Sequence, residues 1–276
     1  MKRKVLATIF LSLLLLAALF QNRYDSTIRY FGDRNAFVAL PSGNALRVLS
    51  FGYQNLTADL LFIWSIQFYS TYYLVNRFDY LERVYETITD ITPQYKDPYI
   101  VGSLIMAFEA QDIPMALRLL EKGSRSLENE WFFDHEAGYY CYKYLKDYTR
   151  AKEYYARAAA KDGAPSFLKR MNAHMVYLQD DPQVAYRMWS ELYQNARTRL
   201  EKDSAFNHLY QIKAEIDLPL IRQKIGLFRE KFRRFPQRLD ELGSSSIPRD
   251  FSGNDYIYDP ALGMVKAQRV FKWKQR

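Results

Sequence analysis

The sequence predicts a mainly α protein: an α-solenoid of helix pairs behind one N-terminal transmembrane helix, closed by a small module of one helix and a short β-hairpin. Three observations predict it. A basic flank and an apolar run open the chain, small and apolar residues recur about every 35 residues through its middle, and turn-forming residues replace that period near the end. The composition agrees. Aromatic residues make up 16%, with 23 Tyr and 18 Phe, against 11 Gly and 10 Pro. That mix excludes collagen-like and low-complexity chains and argues against a turn-rich β-sandwich. The single Cys, Cys141, excludes an internal disulfide and any multi-cysteine metal site. The formal charge of +8 is unevenly placed: residues 221–276 hold 13 Lys/Arg against 6 Asp/Glu, and Lys2, Arg3 and Lys4 add three more positive charges. A uniform nucleic-acid surface does not fit that distribution, so no nucleic-acid partner is expected.

Residues 1–4 form the basic flank, and 5–21 the anchor. Val5 to Phe20 contains only Thr8 and Ser12 as polar residues. Sixteen residues at about 1.5 Å rise give roughly 24 Å, slightly short of a ~30 Å hydrocarbon core, with Gln21 at the far interface. Lys and Arg resist translocation, which keeps the N-terminus in the cytoplasm. The proportions place the protein as a single-pass protein of a bacterial inner membrane, its body periplasmic. A cleaved signal peptide is the competing reading, although Ala17-Ala18-Leu19-Phe20-Gln21 lacks a small-x-small site. Both readings export the body. Residues 22–44 read as a linker.

Residues 45–216 carry the repeat. The anchors Leu81, Ala116, Ala151 and Ala185 are spaced 35, 35 and 34, and a second small series, Ser103, Gly138 and Ala173, is spaced 35 and 35. Apolar residues follow each anchor at helical spacing, as in Ala151, Tyr155 and Ala158. Each unit is therefore a helix pair whose small positions meet across it. The apolar run Leu60 to Ile66 is too short for a second membrane span and is bracketed by Asp59 and Gln67.

This pattern resembles the tetratricopeptide repeat. The best match is Gly138, Tyr148, Ala151, Tyr155 and Ala158, with Pro93 and Pro165 where that family ends its second helix. Leu81 and Gly123 depart from the family's Ala, and its early Trp is missing from most units. The resemblance covers about half the chain, Leu60 to Tyr193. It implies a right-handed superhelix of stacked pairs with a concave groove lined by the first helices. Registered on the small residue, the groove positions are Ile100 and Leu104; Phe132, His135, Tyr139 and Tyr142; and Phe167, Arg170, His174 and Tyr177. Asp97 and Ala107 fall on the same rows. Rings supply contact area at low entropic cost, and Arg fixes a carboxylate or carbonyl, so the implied partner is another envelope protein or a peptide segment. The alternative is that individual rings pack between helices. A His pair with Glu136 nearby invites a metal, but no HExxH, HxxxH or Cys partner accompanies it, and no metal is assigned.

Residues 217–276 change character. Leu218 to Phe235 reads as a helix stopped by Pro236, followed by a turn through Leu239 and Leu242, the link Gly243-Ser244-Ser245-Ser246, and two short strands around Ala261-Leu262-Gly263. Pro236, Leu239, Leu242, Pro248, Asp250, Gly253, Asn254 and Tyr256 are similar to the end of type II secretion major pseudopilins, over about 30 residues and without the pilin-type processing site. That resemblance makes Asp250, Asp255 and Asp259 conceivable Ca²⁺ ligands; turn formation is the plainer role. The tail, Lys266 to Arg276, interleaves cations with Phe271 and Trp273. No G-x-S-x-G, P-loop, G-x-G-x-x-G or metalloprotease helix occurs, so neither catalytic residues nor a cofactor are assigned. The expected role is a membrane-tethered protein–protein interaction scaffold. The alternatives are a periplasmic ligand- or metal-binding protein, or a structural subunit whose groove is filled by its own C-terminal segment.

Overall fold

The computed structural model describes residues 12, 14–21, 40–72, 74, 76–179, 181–243 and 247–270. The chain is mainly helical and divides into two compact units, Met1–Leu127 and Glu128–Arg276. Ser12 and residues 14–21 are helical. The basic flank, the rest of the 5–21 anchor, most of the 22–44 linker, and Phe271 and Trp273 lie outside the described residues. Among the described residues no helix is long and apolar enough to cross a membrane.

The first unit contains α1 (Gly43–Leu49), α2 (Gln54–Tyr69), α3 (Arg77–Ile91), α4 (Lys96–Leu104) and α5 (Ile113–Ser126). Its centre is α3, where Leu81, Val84, Tyr85, Ile88 and Ile91 recur at helical spacing and are all buried. Helices α1, α2 and α4 pack against α3, and α5 packs on α4. In the second unit α6 (Trp131–Tyr140), α7 (Tyr148–Ala160), α8 (Ser166–Leu178), α9 (Pro182–Gln194) and α10 (Arg199–Phe232) each pack on the next. Both recurring series are interior: Leu81, Ala116, Ala151, Ala185 and Ala173 are 0% exposed, Ser103 is 1% exposed, and Gly138 is buried.

The unequal spacing has a structural cause. Ser103 to Ala116 and Gly138 to Ala151 are each 13 residues apart, whereas Ala173 to Ala185 is 12. In the two longer cases the first helix ends in a π turn, Ile105–Glu109 and Cys141–Leu145. A π turn takes up one extra residue without breaking the helix. Each is followed by a left-handed residue, Gln111 at φ 55° and Lys146 at φ 56°, and then by an Asp. Helix α8 carries the 12-residue spacing and ends as an α-helix, without a π turn. The second helices start alike: Asp112, Asp147 and Asp181 cap α5, α7 and α9 by accepting from Met115, Arg150 and Val184 N–H at 2.8, 3.0 and 3.0 Å.

The sequence places a boundary after residue 216, which lies inside a helix. Helix α10 runs unbroken through it for 34 residues and contains Pro219. Pro removes one helical N–H and clashes one turn back, a cost met here by packing on both sides of it. Ala205, Leu209 and Ile212 pack with Ala173, Ala185 and Trp189, while Tyr210, Ala214, Ile221 and Ile225 pack with Tyr256, Val265 and Ala267. The compositional shift marks a change of packing partner along one helix. The helix ends at Phe232, with Arg233 left-handed at φ 55°. A 3₁₀ turn, Leu239–Leu242, follows. The short strands β1 (Ile257–Asp259) and β2 (Met264–Lys266) pair antiparallel, Tyr258 opposite Val265. Tyr256 is 4% exposed and its hydroxyl donates to Asp217 at 2.7 Å, fastening the module to α10. Phe251 meets Tyr186, Tyr193 and Phe206. These contacts run to α9 and α10, away from the predicted groove rows on α6 and α8.

Candidate functional site

The groove positions of the second unit form a row of rings and imidazoles. At one end, α6 projects Trp131 and His135 one turn apart. The His135 ring lies 6.0 Å from Trp131, 5.9 Å from Tyr155 and 5.2 Å from Phe167. Phe132 and Phe167 are half-buried beside it, and Trp131 meets Phe167 edge-on at 6.4 Å. Burial lowers the His135 pKa, so the ring is neutral near pH 7. Its Nε2 lies 3.6 Å from Glu136 Oε1, and burial raises that carboxyl's pKa. His135 Nδ1 is buried without a hydrogen-bond partner among the described residues.

Further along, Tyr142, His174 and His208 follow. The His174 ring is 6.2 Å from Tyr142 and 5.6 Å from His208, which stacks on Trp189 at 3.8 Å with planes 12° apart. His208 Nδ1 sits 2.9 Å from the Ser204 carbonyl oxygen, which fixes the proton there and leaves Nε2 as an acceptor. Burial drives the His208 pKa down to about 4 and lowers that of His174 as well. Tyr139 is half-buried and edge-on to Tyr144 at 6.0 Å.

Two predicted members play other parts. Tyr177 is 1% exposed, so its ring is interior packing, and its hydroxyl donates to Glu215 at 2.6 Å. Arg170 is held by Glu201 at 3.1 Å, and Glu201 also accepts from Ser166 at 2.5 Å. Those bonds, with the Arg197 N–H, hold the Glu201 carboxyl down at about 2. Arg170 is therefore already neutralised and does not stand ready for a partner's carboxylate. Ile100 and Leu104 belong to the first unit: Ile100 is half-buried, and Leu104, just before the π turn, is 41% exposed. Trp131 and His208 join the row beyond the predicted positions, and Trp189, 1% exposed, backs His208 from the interior. Trp131 was legible one helical turn before His135; His208 was not, because only packing of α10 against α9 brings it to Trp189.

The row offers neutral imidazoles in apolar surroundings. It suits an apolar or aromatic segment carrying an uncharged hydrogen-bonding group better than an acidic one. Among the described residues no group of three or more His, Cys, Asp or Glu is placed to hold a metal ion. The C-terminal aspartates serve turns and a surface pair. Asp250 accepts from Ser252 and Asn254 N–H, each at 2.8 Å, Asp259 accepts from Ala261 N–H at 2.9 Å, and Asp255 lies 3.6 Å from Arg249. Cys141 is buried in its helical turn. No family model and no curated protein matches the chain.

Proposed function

We propose that the protein is a membrane-tethered interaction scaffold, an accessory or assembly subunit of an envelope complex of the secretion or pilus kind. In this reading residues 5–21 span a bacterial inner membrane once, the N-terminus stays cytoplasmic, and a tetratricopeptide-like array in the periplasm holds a segment of another envelope protein. The observation that carries it is the half-buried row Phe132, His135, Tyr142, Phe167 and His174, rich in rings and with its one Arg already paired. Tethering confines the scaffold and its client to one surface, raising their effective concentration so that weak docking suffices.

A photo-crosslinking side chain at Phe132 or Tyr142 of the full chain, illuminated in native membranes, tests the reading. Adducts to one envelope protein from both positions, absent when the probe replaces exposed Glu153, are the expected result. Equal labelling from all positions, or none, would remove the row from consideration. A reporter fused after Arg276 and active only outside the cytoplasm checks the orientation.

A further inference from the structure

We propose that the first unit rests on the lipid surface through an apolar face formed by α1 and α2, so that the body lies against the bilayer that anchors it. The inference builds on the tether reading but stands on a different surface. The capping residue Tyr53 and, along α2, Leu56, Leu60 and Ile63 fall at helical spacing and are 69%, 55%, 59% and 54% exposed. Val48 and Phe51, just before α2, are 75% and 84% exposed. Such a contiguous apolar surface marks an interaction site rather than an ordinary solvated face.

The chemistry points to lipid. Helix α2 contains no Lys, Arg or Glu, and its one charge, Asp59, is drawn to Tyr95, whose pKa is raised by burial and then by that carboxylate. The exposed polar side chains of α2 are Asn55, Asp59 and Gln67, none of them a cation. Phe51 and Tyr53 stand at one end of the stripe, which is where interfacial helices place rings. Position in the chain agrees. Gln21 and Leu40 are 19 peptide units apart, so at about 3.4 Å each the unit lies within roughly 65 Å of the end of the apolar run. That interval carries Arg23, Arg29 and Arg34 against Asp25 and Asp33, so it does not repel anionic headgroups. A surface held within that distance of a bilayer meets lipid at an effective concentration no soluble partner reaches.

The test uses the full chain in phosphatidylethanolamine–phosphatidylglycerol vesicles with an environment-sensitive fluorophore on one introduced cysteine; native Cys141 is buried. Leu60→Cys and Phe51→Cys report on the face, Leu14→Cys on the anchor, and Glu153→Cys on solvent. Several-fold quenching by lipids bearing a shallow nitroxide at Leu60→Cys, Phe51→Cys and Leu14→Cys, with none at Glu153→Cys, is the expected result. Quenching at Leu14→Cys with water-like emission at Leu60→Cys and Phe51→Cys overturns this proposal and leaves the tether intact. Blue-shifted but unquenched emission at the face positions overturns it too, assigning the face to protein. Loss of quenching at all positions removes both readings.

Discussion

The close nesting of helices can be tested with two glycines that differ only in what stands beside them. Gly102 lies in α4, where an added Cβ would come 2.4 Å from Leu119 Cδ2 and 2.8 and 2.9 Å from the Tyr85 ring. Gly226 lies in α10 with nothing within 4 Å of the same position. Replacing either by Ala gains about 1 kcal/mol of helix propensity. At Gly226 that gain stands alone, so Gly226→Ala should stabilise by about 0.5–1 kcal/mol. At Gly102 the methyl must displace Tyr85, which is 0% exposed, and Leu119, which is 2% exposed; such overpacking costs about 1–3 kcal/mol. Gly102→Ala should therefore be neutral to destabilising by about 2 kcal/mol, leaving the pair about 1–3 kcal/mol apart. Because the substitutions lie in different units, the readout should be local: amide hydrogen exchange of α3–α5 and of α10 separately, alongside thermal unfolding. Greater protection of α3–α5 in Gly102→Ala, matching the gain in Gly226→Ala, would refute the close packing of α4 against Tyr85 and Leu119.

Tyr256→Phe should cost about 1–2 kcal/mol, the low side for a hydrogen bond to a charged acceptor because Asp217 keeps Lys213 at 2.8 Å; loosened exchange in β1–β2 ahead of α6–α8 is the check. His208, with its folded pKa near 4 against an unfolded 6.5, binds its proton more readily when unfolded, so stability is unaffected above pH 6.5 and falls as pH drops toward 4, by about 3 kcal/mol in all. Denaturant titrations across that window should show the slope, and His208→Gln should flatten it. Asp134 is 1% exposed and held by Arg157 at 2.9 Å and Lys161 at 2.7 Å. Arg157→Met with Lys161→Met should cost about 3–5 kcal/mol by removing both cations from that buried carboxylate, and adding Asp134→Leu should recover much of it in the same unfolding assay.

The helical character was legible because burial of Leu81, Ala116, Ala151 and Ala185 imprints a period on the residues themselves. The irregularity in that period was visible too, as 13 residues against 12, but its meaning was not. Whether an inserted residue becomes a π turn, a loop or a shifted register depends on what the next helix accepts. The compositional break at 217 has a related cause: composition records what each stretch packs against, and α10 packs one half on α9 and the other on the C-terminal module. The spacing puts Arg170 and Tyr177 among the groove positions, since spacing places a side chain on a row. Spacing does not report that Glu201, from a helix 31 residues further on, has taken the guanidinium, or that Tyr177 has sunk to 1% exposure.

What the sequence alone determined is local: which stretches are helical, which faces are apolar, and where small side chains let helices approach, all consequences of periodicity in a chain with few Gly and Pro. What the tertiary structure decided is pairing. It neutralised Arg170, joined His174 to His208 and Trp189, and left the apolar stripe of α2 facing outward, because each of these depends on residues distant in the chain and on the space between helices, neither of which a linear pattern encodes.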